Sequence, residues 1–170
     1  ATNAGMEIHR EYSVERKGKW NLLNNNMELK LGDLVRVDLY LRLPAARNFV
    51  VIDDPVPGGL EPVNRDLAST SIIDANKAKM KYADGAYWFR FNDWRSYGYS
   101  HWSFYHRELR HEAARFYSEY LPGGNYHVAY TAQVIAPGEF TVLPARAEEM
   151  YHPDVFGLGV PARLRVYESK

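Results

Sequence analysis

Leu34-Val35-Arg36-Val37-Asp38-Leu39-Tyr40-Leu41-Arg42-Leu43 places an aliphatic side chain at every second position from Val35 onward. A strand sends successive side chains to opposite faces, so Val35, Val37, Leu39, Leu41 and Leu43 share one apolar side. Just before it, Leu29-Lys30-Leu31-Gly32-Asp33 reads as a tight turn, because glycine enters turn conformations without steric cost. Met6, Ile8, Arg10 and Tyr12 alternate in the same way against Glu7, His9 and Glu11. Phe49-Val50-Val51-Ile52 is apolar on both faces, as a central strand would be, and Asp53-Asp54-Pro55-Val56-Pro57-Gly58-Gly59 ends it, since proline cannot donate to a ladder. A short strand resumes at Leu60.

Further along, Trp102, Phe104, His106, Glu108 and Arg110 form one side of a strand, and Ala114, Phe116, Ser118 and Tyr120 one side of its partner. Leu121-Pro122-Gly123-Gly124 turns the chain into a strand over residues 126–134, and Ala136-Pro137-Gly138 marks a corner before Phe140-Thr141-Val142. Residues 145–151 and 163–167 read as the last two strands. Short strands separated by Gly and Pro corners predict one all-β domain over residues 1–170, an antiparallel two-sheet β-sandwich. Residues 62–98 follow neither period and read as a long crossover insertion, with a short helix over residues 74–82.

Composition removes several classes of function. Lys plus Arg number 21 and Asp plus Glu number 21, so no net field draws the chain to nucleic acid or anionic lipid. The chain has no cysteine, which rules out disulfides, thiolate metal sites, thiol nucleophiles and a thioester within it. No apolar run approaches the roughly 20 residues that span a bilayer. Ala1 to Gly5 lack the charged-then-apolar layout of a signal peptide, and with Met6 internal the chain reads as a domain cut from a longer protein.

Catalytic and metal motifs are equally thin. No Gly-x-Ser-x-Gly elbow is present, so no catalytic residue is assigned and the chain reads as a non-enzyme. His101, His106 and His111 recur every five residues, an offset that alternates strand faces and does not converge on one ion. Asp53-Asp54 before Pro55 reads as a turn device. No cofactor or metal ligand set is therefore expected. The aromatic cluster Tyr87, Trp88, Phe89, Phe91, Trp94, Tyr97, Tyr99 and Trp102 has two readings: core packing, or exposed rings that stack on sugars in a carbohydrate- or surface-binding module.

Several segments, in order, resemble the carboxyl-terminal macroglobulin-like domain (MG10) of bacterial alpha-2-macroglobulins, the equivalent of the receptor-binding domain of the animal proteins. They are Glu7-Ile8-His9-Arg10-Glu11-Tyr12, Gly32-Asp33-Leu34-Val35, Val51-Ile52-Asp53-Asp54-Pro55-Val56-Pro57-Gly58-Gly59-Leu60-Glu61-Pro62-Val63-Asn64, and Tyr105-His106-Arg107-Glu108-Leu109-Arg110. Leu121-Pro122-Gly123-Gly124-Asn125-Tyr126, Ala136-Pro137-Gly138-Glu139-Phe140-Thr141-Val142 and Glu149-Met150-Tyr151-His152-Pro153-Asp154-Val155-Phe156-Gly157 complete the set. The resemblance implies a domain of a periplasmic, protease-trapping inhibitor that defends the cell envelope, membrane-associated in some arrangements through the parent chain. Its implied partners are other domains of the same chain, target proteases met by the whole protein, and a penicillin-binding protein.

Many such proteins carry a Cys-x-Glu-Gln thioester in a separate domain, and others lack it. Where it exists, the resemblance implies that Met150, with Tyr151 beside it, covers the bond and keeps water away. An unbranched, polarizable side chain fills an irregular gap without offering a nucleophile. Strand alternation places Met150 on one face with Arg146 and Glu148. It reads equally as an interface residue on a charged face or as a core residue of the penultimate strand.

Overall fold

The computed structural model describes residues 1–63, 81, 82, 104 and 106–168. Among them the protein is all β, with fifteen strands and no helix. The central pair of the first sheet is β6 (Arg47–Pro55) and β10 (Ala113–Leu121), with β9 (His106–Leu109) outside β10. On the other side of β6 lie β13 (Arg146–Glu149), β14 (His152–Leu158) and β1 (Thr2–Ala4) in turn.

The second sheet is centred on β5 (Leu34–Leu43), flanked by β2 (Glu7–Arg16) and β11 (Gly124–Val134). Beyond β11 is β7 (Leu60–Pro62), and beyond β2 are β3 (Lys19–Leu22) and β8 (Lys81–Tyr82). A third sheet sets β15 (Ala162–Tyr167) between β12 (Gly138–Val142) and β4 (Asn26–Lys30). Pairing is antiparallel except for β15 with β4 and β3 with β8.

The two larger sheets close on one apolar core. Val35, Val37, Leu39, Leu41 and Leu43 are buried, as their alternation requires, in a cluster with Val50, Ile52, Phe116, Tyr130 and Ala147. Each aliphatic side chain taken fully out of water contributes about 1.5–3 kcal/mol. Met27, Leu29, Val142, Leu164 and Val166 of the third sheet join the same cluster. The chain crosses from β1 into β2 at Gly5, whose φ is 102°, and the crossing runs tight against β14. A Cβ on Gly157 would lie 2.6 Å from the Met6 carbonyl oxygen, so only glycine lets the two backbones pass.

Several expectations change. The second sheet is buried on both faces: Arg36, Asp38 and Tyr40, which alternation points away from the core, are as inaccessible as the leucines. Residues 29–33 are a turn as expected, with the Asp33 amide donating to the Lys30 carbonyl at 3.1 Å. Yet residues 26–30 before it form β4, whose partner lies at the far end of the chain. Residues 145–151 do not make one strand. After a register shift at Glu148 and Glu149 the chain turns back through Met150 and Tyr151 into β14, a strand absent from the sequence reading. Of the expected helix over residues 74–82, only Lys81 and Tyr82 are described, and they are extended; the rest, like most of residues 62–98, lies outside the described residues.

Candidate functional site

Met150 and Tyr151 form the tip of the β13–β14 hairpin, and both are exposed, at 44% and 70%. The core reading of Met150 therefore falls. Ala147 and Glu149 take the inward positions of β13, and Met150 follows Arg146 and Glu148 outward before the turn. A Met and a Tyr exposed side by side make an apolar protrusion, the kind of surface that finds a partner more readily than isolated apolar residues do.

Phe49 on β6 supports this tip. Its carbonyl accepts the Met150 amide at 2.8 Å. Its ring meets the Tyr151 ring edge-on, with centroids 5.1 Å apart and planes at 83°. Phe49 has φ 51°, the left-handed region that aromatic residues avoid. One residue earlier, the Asn48 amide donates to Oε1 of buried Glu149 at 3.0 Å.

At the opposite end of the sandwich a buried ion pair joins the two sheets. Asp54 of β6 is fully inaccessible, and its carboxylate accepts from Arg10 Nη1 of β2 and from the Tyr130 hydroxyl of β11. Arg10 Nη1 also donates to the Leu143 carbonyl at 2.8 Å, and Nη2 to the Val160 carbonyl at 3.4 Å, tying down two loops. Burial alone would lower the Arg10 pKa, but Asp54 outweighs it and holds the guanidinium protonated above its ordinary range. Burial pushes the Tyr130 hydroxyl well up, so it stays a neutral donor. Asp54 is a correction: the sequence reading made Asp53-Asp54 a turn device, whereas both lie in β6 on opposite faces. The signal was present, because an arginine on the inward face of β2 requires a buried acid.

On the outer face of the first sheet, directly opposed residues alternate in sign from Arg146 through Asp53 and Arg115 to Glu108. Arg115 lies 3.5 Å from Asp53 and 3.8 Å from Glu108. On the second sheet, Arg36 and His127 both reach Asp38 Oδ1, at 2.9 and 2.7 Å. Burial opposes the Asp38 charge, but the Arg36 guanidinium and the contact with His127 outweigh it and hold the carboxyl below its usual range.

The sequence-predicted histidines separate. His106 is an exposed β9 residue 3.7 Å from Glu108, whereas His111 lies in the β9–β10 turn. His101 is outside the described residues, as is the aromatic cluster from Tyr87 to Trp102. Among the described residues, no group of three or more metal-ligating side chains converges, and no helix is long and apolar enough to cross a membrane.

The sequence profile of the family described as "Bacterial Alpha-2-macroglobulin MG10 domain" matches residues 5–154. The chain belongs to that family. Its fold agrees: 97% of it superposes on 24% of a chain of native alpha-2-macroglobulin from Escherichia coli, with a TM-score of 0.68 at 24% identity. A Salmonella alpha-2-macroglobulin structure, reacted with methylamine, gives a TM-score of 0.67 over 98% of this chain and 9% of that one, at 21% identity. An alpha-2-macroglobulin homolog of Nostoc sp. is 25% identical over 171 residues. The match takes in 97% of this chain and 8% of the Nostoc protein, so the chain spans a small fraction of the relatives it resembles.

Proposed function

We propose that this chain is a non-catalytic MG10 domain, the carboxyl-terminal module of a much longer alpha-2-macroglobulin that traps proteases at the bacterial cell envelope, in the periplasm. Residues 1–170 make a single macroglobulin-like unit in this reading. Its task is contact: the Met150–Tyr151 tip seats on a neighbouring domain of the same chain and, where that domain holds a thioester, closes it off from water. The observation that carries the reading is the exposure of two adjacent apolar side chains on a hairpin gripped from behind by β6. The small share of the Nostoc relative that the chain covers leaves ample neighbouring protein to receive the tip.

The chemistry is one of exclusion. A thioester is lost to water or amines that reach its carbonyl, and a Met side chain packed over it fills the approach with apolar atoms. The parent gene decides the first point, since a Cys-x-Glu-Gln motif upstream either exists or does not. Given that motif, methylamine incorporation into the full-length protein before any protease is added should accelerate in Met150→Ala, and further in Met150→Ala/Tyr151→Ala. An unchanged rate in the double variant removes the tip from thioester protection.

A further inference from the structure

We propose that Phe49 and Glu149 are the positioning residues of the Met150–Tyr151 tip, and that Phe49 completes the apolar face presented to the neighbouring domain. The inference rests on the docking reading above for its purpose, and on the geometry of β6 for its substance.

The ladder of β6 with β10 skips one position where the tip meets it. Along β10 the register passes without a shift from Ser118 opposite Val50 to Tyr120 opposite Asn48 but makes no pair at Phe49 itself, and the β13 register ends at Glu149 opposite Val50, one step before the Met150 amide reaches the Phe49 carbonyl. The left-handed φ of Phe49 falls at that skipped position. A conformation that an aromatic residue avoids persists only where its surroundings over-determine it. Here it makes the Phe49 carbonyl the acceptor for the Met150 amide and sets the Phe49 ring against the edge or face of Tyr151.

The ring has no core to fill, being 43% exposed. Glycine or asparagine would satisfy the φ and a polar side chain the exposure. Only an aromatic ring also supplies the contact with Tyr151. Glu149 adds a second grip. Its side chain is buried and receives the Asn48 amide, so the residue just before the tip is tied to the residue just before Phe49. Two consecutive residues of β6 thus hold three consecutive residues of the hairpin.

The test uses the full-length protein and two readouts. Amide hydrogen exchange over residues 146–156 reports the tip, with residues 34–43 as an internal reference for global stability. Methylamine incorporation reports docking. Phe49→Asn keeps a residue that enters the left-handed region readily and deletes the ring, so the fold is spared. It should speed exchange at the tip by about fivefold, the scale of one lost aromatic pair, with residues 34–43 unchanged. Glu149→Ala should do the same, whereas Glu149→Gln, which retains an oxygen for the Asn48 amide, should restore protection.

Tip exchange unchanged in both Phe49→Asn and Glu149→Ala overturns the proposal, whatever methylamine does. Faster tip exchange in both, with rescue by Glu149→Gln, supports it. If the tip loosens while Met150→Ala leaves methylamine uptake unchanged, the positioning role stands and the docking reading fails.

Discussion

Asp53 and Asp54 are neighbours on one strand and live in different solvents. Asp53 faces outward, its side chain 40% exposed, and meets Arg115 at 3.5 Å within a row of alternating charges. Asp54 faces inward with no exposure and is held by Arg10 and Tyr130. Water screens the outer pair and competes for both partners, so such contacts contribute little each. The inner pair has lost its water altogether, and each charge depends on the other. The same carboxylate chemistry therefore gives a tolerant face on one side of β6 and an unforgiving joint on the other. That joint reaches the loops at Leu143 and Val160, at the end of the sandwich away from the hairpin tip.

The contrast breaks most visibly at Arg10. Arg10→Met leaves the Asp54 carboxylate buried without its counter-charge and should cost about 3–5 kcal/mol in urea unfolding. The double variant Arg10→Met/Asp54→Leu should recover most of that loss, because replacing a buried pair with apolar side chains is often neutral or stabilising. Failure to recover would mean that the Arg10 bonds to the two loop carbonyls matter more than the ion pair.

Asp38 tests the second sheet by pH. Its folded pKa lies below the unfolded value, so its contribution is present above that unfolded value, about 3.9, and is lost as pH falls through the folded one. Asp38→Asn should therefore flatten the acid side of a stability-against-pH curve while lowering the plateau at neutral pH. A curve parallel to that of the unaltered protein would contradict this.

Glu108→Gln on the outer row is the smallest change expected, within about 0.5 kcal/mol and diminishing further with added salt. A loss as large as that from Arg10→Met would erase the distinction between the two faces.

Where contacts were local or the pattern strongly periodic, the sequence was easy to read. Residues 34–43 alternate cleanly and form β5 with those bounds. The paired strands about residue 111 and the corner at Leu121-Pro122-Gly123-Gly124 were legible for the same reason. β4 was not, because its pairing joins Leu29 to Val166 across most of the chain. β14 was hidden because the turn that precedes it is made of Met150 and Tyr151, with no Gly or Asn to announce it. The candidate site was half legible. Met150 and Tyr151 stood out through a family resemblance, but Phe49 looked like an ordinary strand residue. Its unusual φ falls where the β13–β14 turn bonds back to β6, a meeting that no local stretch reveals.

What this sequence determines alone is the β class, the apolar faces and the absence of thiol chemistry, since period, turn residues and composition are properties of the chain itself. Which charges are sealed between sheets, which aromatics remain outside and what grips the hairpin tip were decided only by tertiary structure. Burial and long-range pairing depend on which surfaces meet, and no local stretch of sequence contains that information.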